Sequence, residues 1–106
     1  MSTRVLYQEV VPYEAPESLD ALRGPAAGVV EVPLSVHWGP RRVFDLDRPA
    51  QAKAAYRAIV REGTPAVQQA LLNREVLVRL WGELVLPDRC RALWESRFPE
   101  LTAEKV

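Results

Sequence analysis

The chain holds one histidine, His37, and one cysteine, Cys90, and these two side chains bound the chemistry open to it. A zinc or iron site needs three or four clustered His, Cys or carboxylate ligands, so no metal is expected. The five glycines are scattered singly rather than gathered into a phosphate-cradling loop, so no cofactor is expected either. Nucleophilic catalysis would require Ser35 or Cys90 to be activated by His37, with a third group orienting the base. Ser35 and His37 stand two apart, on one face of an expected strand, and nothing marks a third member. His37 is read first as a solvent-facing strand residue beside Trp38 and only then as the centre of a small enzyme. Cys90, flanked by Arg89 and Arg91, has neighbours that lower a thiol pKa, yet a small buried hydrophobe on a helix is the commoner role. Asp45 and Asp47 are spaced for acid and base work, but Asp47 is better explained as a helix cap. The expectation is a protein that is not an enzyme.

The elements that must carry these residues divide near residue 47, with strand signals and prolines before it and helix signals after it. Residues 4–11, RVLYQEVV, are rich in strand formers, and Pro12 and Pro16 bracket a short extended arm, so that residues 1–16 read as a flexible arm or a strand. Ser18 is placed to cap a helical turn, SLDALR, that Gly24 and Pro25 would end. The plainest β signal is VVEVPLSVHW, then Gly39 and Pro40, then RRVFDL. Val30, Val32, Leu34, Val36 and Trp38 alternate with polar or small residues, which predicts a β-hairpin over 28–46 with one buried face. Pro33 has no N–H for a ladder and marks its strand as an edge. Phe44 and Leu46 can join the same face, with the register left open.

Asp47 and Pro49 predict a helix start, and Gly63 in a left-handed conformation predicts its stop. The stripe of Ala52, Ala55, Tyr56, Ile59 and Val60 faces inward, and Lys53, Arg57 and Arg61 face solvent. Thr64 and Pro65 open a further helix, and Asn73 either kinks it or caps a second one. Val76, Leu77, Leu80, Trp81 and Leu84 form a broad apolar face for a central helix. A last helix begins near Pro87 and Asp88, turns Cys90, Leu93, Trp94 and Phe98 inward and ends at Pro99. The tail TAEKV should fray. The fold class is therefore α+β: a single domain in which a hairpin, with or without an N-terminal strand, packs on three to four C-terminal helices over 47–98.

Charge and hydropathy narrow the function classes. Fourteen basic residues balance fourteen acidic ones, so no global field draws the chain to nucleic acid or an anionic membrane. No apolar run is long enough to span a bilayer and no secretory h-region opens the chain, so no membrane contact is expected and the cytoplasm is the expected location. The preponderance of Arg over Lys, with abundant Ala, Val and Pro, suggests a bacterial genome of high GC content. Residues 64–84 have the outline of a helix-turn-helix, but Val76, Leu77, Val78, Leu80 and Trp81 make the second helix too apolar for a recognition face. DNA binding by a transcriptional regulator, with Arg57, Arg61, Arg74 and Arg79 on phosphates, is the alternative reading. The leading one is a protein-interaction module. Trp81, Trp94, Leu84, Val85, Leu86 and Phe98 offer more large apolar surface than one thin domain is expected to hide, and the contact residues expected are Val32, Leu34 and Trp38 of the hairpin with Trp81, Leu84, Trp94 and Phe98.

ESLDALRGP, GVVEVPL with Trp38, RRVFDLD, YRAIVREG, LLN, LVRLW and LWESRFPEL together resemble a family of small uncharacterised actinobacterial proteins over residues 17–101. The family is grouped with regulators or with partners of nucleotidyltransferase-type toxins. The resemblance implies an antitoxin-like protein or the regulatory subunit of a neighbouring gene product, with a protein partner or a second copy of itself, and brings no catalytic residue with it.

Overall fold

Val29–Glu31 (β1) and Val43–Asp45 (β2) pair antiparallel with Val30 opposite Phe44, which settles the register. The computed structural model describes residues 13–33 and 43–103. Period-two alternation sends Val30 and Phe44 inward together with Val32 and Leu46, the face that the sequence pattern predicts. The same alternation turns Val29, Glu31 and Val43 outward. The N-terminal strand over 4–11 and the outer part of the hairpin, with Leu34, Val36, His37 and Trp38, lie outside the described residues.

Five α-helices follow the sheet among the described residues, an α+β arrangement with its helices C-terminal to the hairpin. They are α1 (Pro49–Glu62), α2 (Pro65–Leu71), α3 (Arg74–Leu80), α4 (Asp88–Arg97) and α5 (Glu100–Ala103). The α1 stripe of Ala52, Ala55, Tyr56, Ile59 and Val60 is buried as its spacing demands. Its start is not capped by Asp47. Arg48 holds the cap position without a side-chain bond and Pro49 opens the helix, because the chain first makes a turn in which the Arg48 N–H reaches the Asp45 carbonyl at 3.0 Å. The carboxylate that acts here is Asp45, which accepts from the Asp47 N–H at 2.9 Å. The Asp45 N–H in turn donates to Gln51 Oε1 at 2.8 Å.

Gly63 ends α1, but with φ −79° and ψ 153° it is extended rather than left-handed. Glycine is required there by closeness, since a Cβ would sit 2.7 Å from the Ile59 carbonyl oxygen and 3.3 Å from Gln68 Cγ. Thr64 caps α2 by accepting from the Val67 N–H at 3.4 Å. Asn73 separates α2 from α3 and caps the latter through bonds from the Glu75 and Val76 N–H groups, so the stretch is two helices rather than one kinked helix. The central helix is shorter than its apolar pattern, for α3 stops at Leu80 and a 3-10 turn, Trp81–Glu83, carries the pattern on. Val76, Leu77, Leu80, Trp81 and Leu84 are nonetheless all buried.

Residues 13–24 are strapped across the helices rather than loosely held. Ala15 and Pro16 are buried, and two neighbouring carbonyls are claimed by distant side chains: Glu14 O by Gln68 Nε2 at 2.8 Å and Ala15 O by Arg97 Nη1 at 3.2 Å. The expected helical turn is a 3-10 turn, Leu19–Ala21, to which the Ser18 side chain contributes no cap. Beyond it the strap locks onto the α2–α3 junction. Arg23 N–H donates to Gln69 O at 2.7 Å and Gly24 N–H to Leu72 O at 2.8 Å, while Gly24 O accepts from Asn73 Nδ2 at 3.2 Å. A Cβ on Gly24 would overlap the Leu71 carbonyl. At the other end, Thr102 and Ala103 belong to α5 instead of a frayed tail, and Leu101, not foreseen as core, is fully buried.

Candidate interaction surface

Five of the large apolar side chains expected to be spare for a partner lie in the chain's own core. Val32, Trp81 and Trp94 are wholly buried, and Leu84 and Phe98 keep 3% and 2% of their surface. For the aromatic residues the cause is ring packing. Trp81 and Trp94 lie 6.0 Å apart, Phe98 meets Trp94 edge-on at 5.5 Å, and such packing hides rings that a thin layer would leave bare. Arg91 closes the outer side of Trp81, its guanidinium 5.0 Å from the ring centroid. It also donates to the Leu84 carbonyl and pairs with Glu95 at 3.4 Å, and Glu95 accepts from the Trp81 indole N–H at 2.8 Å. Leu34 and Trp38, the other two candidates, fall outside the described residues, as does His37.

The large apolar side chains that remain exposed among the described residues are Val29 at 64%, Val43 at 48% and Val85 at 76%, of which Val85 alone was expected to be spare. Val29 and Val43 share the outer face of the sheet. The strand alternation that assigns Val30 and Phe44 to the core also assigns these two outward, so the signal was present in the sequence. Val85, one residue past buried Leu84, carries no periodic signal because it follows a 3-10 turn.

Of the four arginines proposed for phosphate contact, Arg61 and Arg74 are met by acids. Arg74 reaches Asp20 at 3.5 Å and Glu100 at 3.8 Å, and Arg61 faces Glu62 at 3.9 Å. Arg57 and Arg79 are exposed and have no ion-pair partner among the described residues. They line two adjoining crevices that share one wall, the ion pair of Lys53 with Glu83 at 2.7 Å. The first crevice, of about 320 Å³, runs over Ala50 and Ala54 between Lys53, Arg57, Glu83, Leu84 and Val85. The second, of about 260 Å³, lies between Arg79, Asp47, Pro49 and Leu80. The helical period of α1 sets this arrangement, placing Ala50, Lys53, Ala54 and Arg57 in one row. With its two partners 40% and 59% exposed, the Lys53–Glu83 pair adds little to stability.

The buried reactive groups are committed to the core. Burial pushes the Cys90 thiol up to about 11, against the pull of Arg61 and Arg91, and its sulfur lies 3.8 Å from the Val60 carbonyl. Burial likewise raises Tyr56, opposed by the Asn73 N–H and by Arg79; its hydroxyl accepts from that N–H at 2.9 Å. Gln68, fully buried and not anticipated from the sequence, donates to Gly63 O at 3.0 Å and Ile59 O at 3.4 Å as well as to Glu14 O. Among the described residues no three His, Cys, Asp or Glu side chains are grouped to hold a metal ion, and no helix is long and apolar enough to cross a membrane. Compared with known proteins, the chain matches no family model, no curated protein and no solved structure.

Proposed function

We propose that this chain is a non-catalytic protein-interaction module, acting as the regulatory subunit of another protein. The observation that carries the reading is the pattern of exposure. The core consumes its aromatic residues, yet two valines stand outward on a two-stranded sheet and a third overlooks a crevice with a small-residue floor and a charged rim. An apolar centre within a polar rim is the anatomy of a protein interface. Among the described residues, Cys90 and Tyr56 are spent on packing and backbone contacts; His37, the centre of the enzyme reading, lies outside them. An antitoxin-like role rests on the sequence resemblance alone.

DNA binding is less well supported, because phosphate tracking needs several converging cations and two of the four arginines are occupied by acids. The test is affinity capture of the tagged full chain from its native host at moderate salt, with and without nuclease. A stoichiometric protein that survives nuclease is the expected result. Recovery only of DNA, or of proteins that vanish with nuclease, would overturn the reading in favour of a regulator.

A further inference from the structure

Resting on that reading, we infer that the crevice between α1 and Val85 takes a partner segment that presents a carboxylate beside an apolar side chain. Three features select this occupant. The lining includes Ala50 and Ala54, whose short side chains leave room for a larger apolar group, together with Leu84 and the exposed Val85. The lining also includes Arg57, an exposed guanidinium without an ion-pair partner among the described residues, and a guanidinium fork is shaped to bind a carboxylate through two parallel hydrogen bonds. The other cation of the lining, Lys53, is already met by Glu83 at 2.7 Å. The crevice therefore has one cation left to pair, Arg57, beside the apolar side chains of its lining.

The same lining argues against a nucleic-acid strand. A phosphate backbone brings a charge every few ångströms and needs a track of cations, whereas Glu83 lines this crevice and Asp47 lines the adjoining one with Arg79. A single carboxylate needs only one cation, which Arg57 supplies. The volume of about 320 Å³ is at the lower end of the range for small-molecule sites, roughly 300–1,000 Å³, which suits the seating of one or two side chains of a protein segment.

The probe is a short fluorescent peptide alternating Glu and Leu, titrated into the isotope-labelled full chain while backbone and arginine side-chain resonances are followed by NMR. Controls are a Lys–Leu peptide, a Glu–Ser peptide and a single-stranded oligothymidine. The expected result is that the Glu–Leu peptide shifts Ala54, Arg57, Glu83 and Val85, that the controls leave them in place, and that Arg57→Glu weakens the peptide about tenfold or more. Arg57 is exposed, so the variant should retain its fold, which far-ultraviolet circular dichroism checks; Arg57→Lys should bind at an intermediate level. Equal shifts with the Lys–Leu peptide, shifts with oligothymidine, or no shift at these residues would each overturn the inference. A partner captured from lysate that binds Arg57→Glu as tightly as the native chain would also overturn it while leaving the interaction-module reading intact; absence of any captured protein would instead remove that reading.

Discussion

Replacing Gln68 tests whether the strap and the end of α1 are held by one buried amide. Its Nε2 serves Glu14 O at 2.8 Å and Gly63 O at 3.0 Å, with a longer contact to Ile59 O, while its Oε1 is buried without a partner. Gln68→Leu conserves volume but orphans two carbonyls; the Ile59 oxygen keeps the Gly63 N–H at 2.9 Å. A buried unsatisfied acceptor costs about 1–3 kcal/mol. Removing the unpaired Oε1 recovers a cost of the same kind, so the net loss should be about 1–2 kcal/mol. Gln68→Glu is harsher at neutral pH, because a carboxylate offers no donor to the surrounding carbonyls and burial favours its protonated form. The folded-state pKa of that introduced acid is raised above the unfolded value of about 4.3, so the variant is least penalised below that value and loses stability as pH rises toward the folded pKa. Each pH unit costs about 1.4 kcal/mol, or about 4 kcal/mol by pH of about 7 if the acid stays protonated throughout. Against a total of about 5–15 kcal/mol for a domain, that leaves the fold marginal. Urea denaturation of the native chain and both variants between about pH 4 and 7, compared as differences from the native chain, measures this. A Gln68→Glu penalty that does not change with pH, or a Gln68→Leu variant as stable as the native chain, would refute the assignment.

Gly24→Ala should cost about 1–3 kcal/mol, since its methyl group overlaps the Leu71 carbonyl and the strap must shift; thermal melts report it, and an unchanged midpoint would contradict the close approach. Asn73→Ala should cost about 1 kcal/mol by removing the α3 cap, together with the bond to Gly24 O, and should deprotect amides at the start of α3 in hydrogen exchange. Cys90, with its thiol pushed up from 9.0 to about 11, carries roughly a hundredfold less thiolate at mildly alkaline pH than a thiol of ordinary pKa. Its reaction with a disulfide reagent should be slow in buffer and fast in denaturant, and rapid labelling of the folded chain would place it at the surface.

The helical half was legible because its signals are local. The α1 stripe follows from 3.6-residue periodicity, and Thr64, Asn73 and Pro49 announce helix starts through side-chain geometry that a sequence displays directly. The α1 cap was misread at Asp47 because the turn from Asp45 delays the helix, and that turn depends on β2 ending where the sheet ends. Gly63 and Gly24 were assigned to left-handed or terminating roles when both are glycines of close approach, a property set by Ile59 in one case and by Leu71, distant in sequence, in the other. Gln68 looked like an ordinary polar helix residue, and only the strap carbonyl at Glu14, fifty-four residues away, shows why it is inside. The packing of Trp81, Trp94 and Phe98 on one another explains why aromatic side chains expected at an interface are buried: burial is a property of the assembled layers, whereas composition records only the supply of apolar groups.

Exposed Val29 and Val43 give the most direct route to the central claim that this chain works by holding another protein. Replacing both with Thr keeps β-branched residues in the strands and removes only apolar contact from the outward face. The measurement is the amount of partner captured from nuclease-treated lysate by the Val29→Thr, Val43→Thr double variant relative to the native chain, with thermal melts in parallel. The interaction-module account predicts a several-fold loss of captured protein at an unchanged melting temperature. Undiminished capture would take the sheet face out of the interface, and if the native chain itself holds no protein while retaining DNA, the account is contradicted.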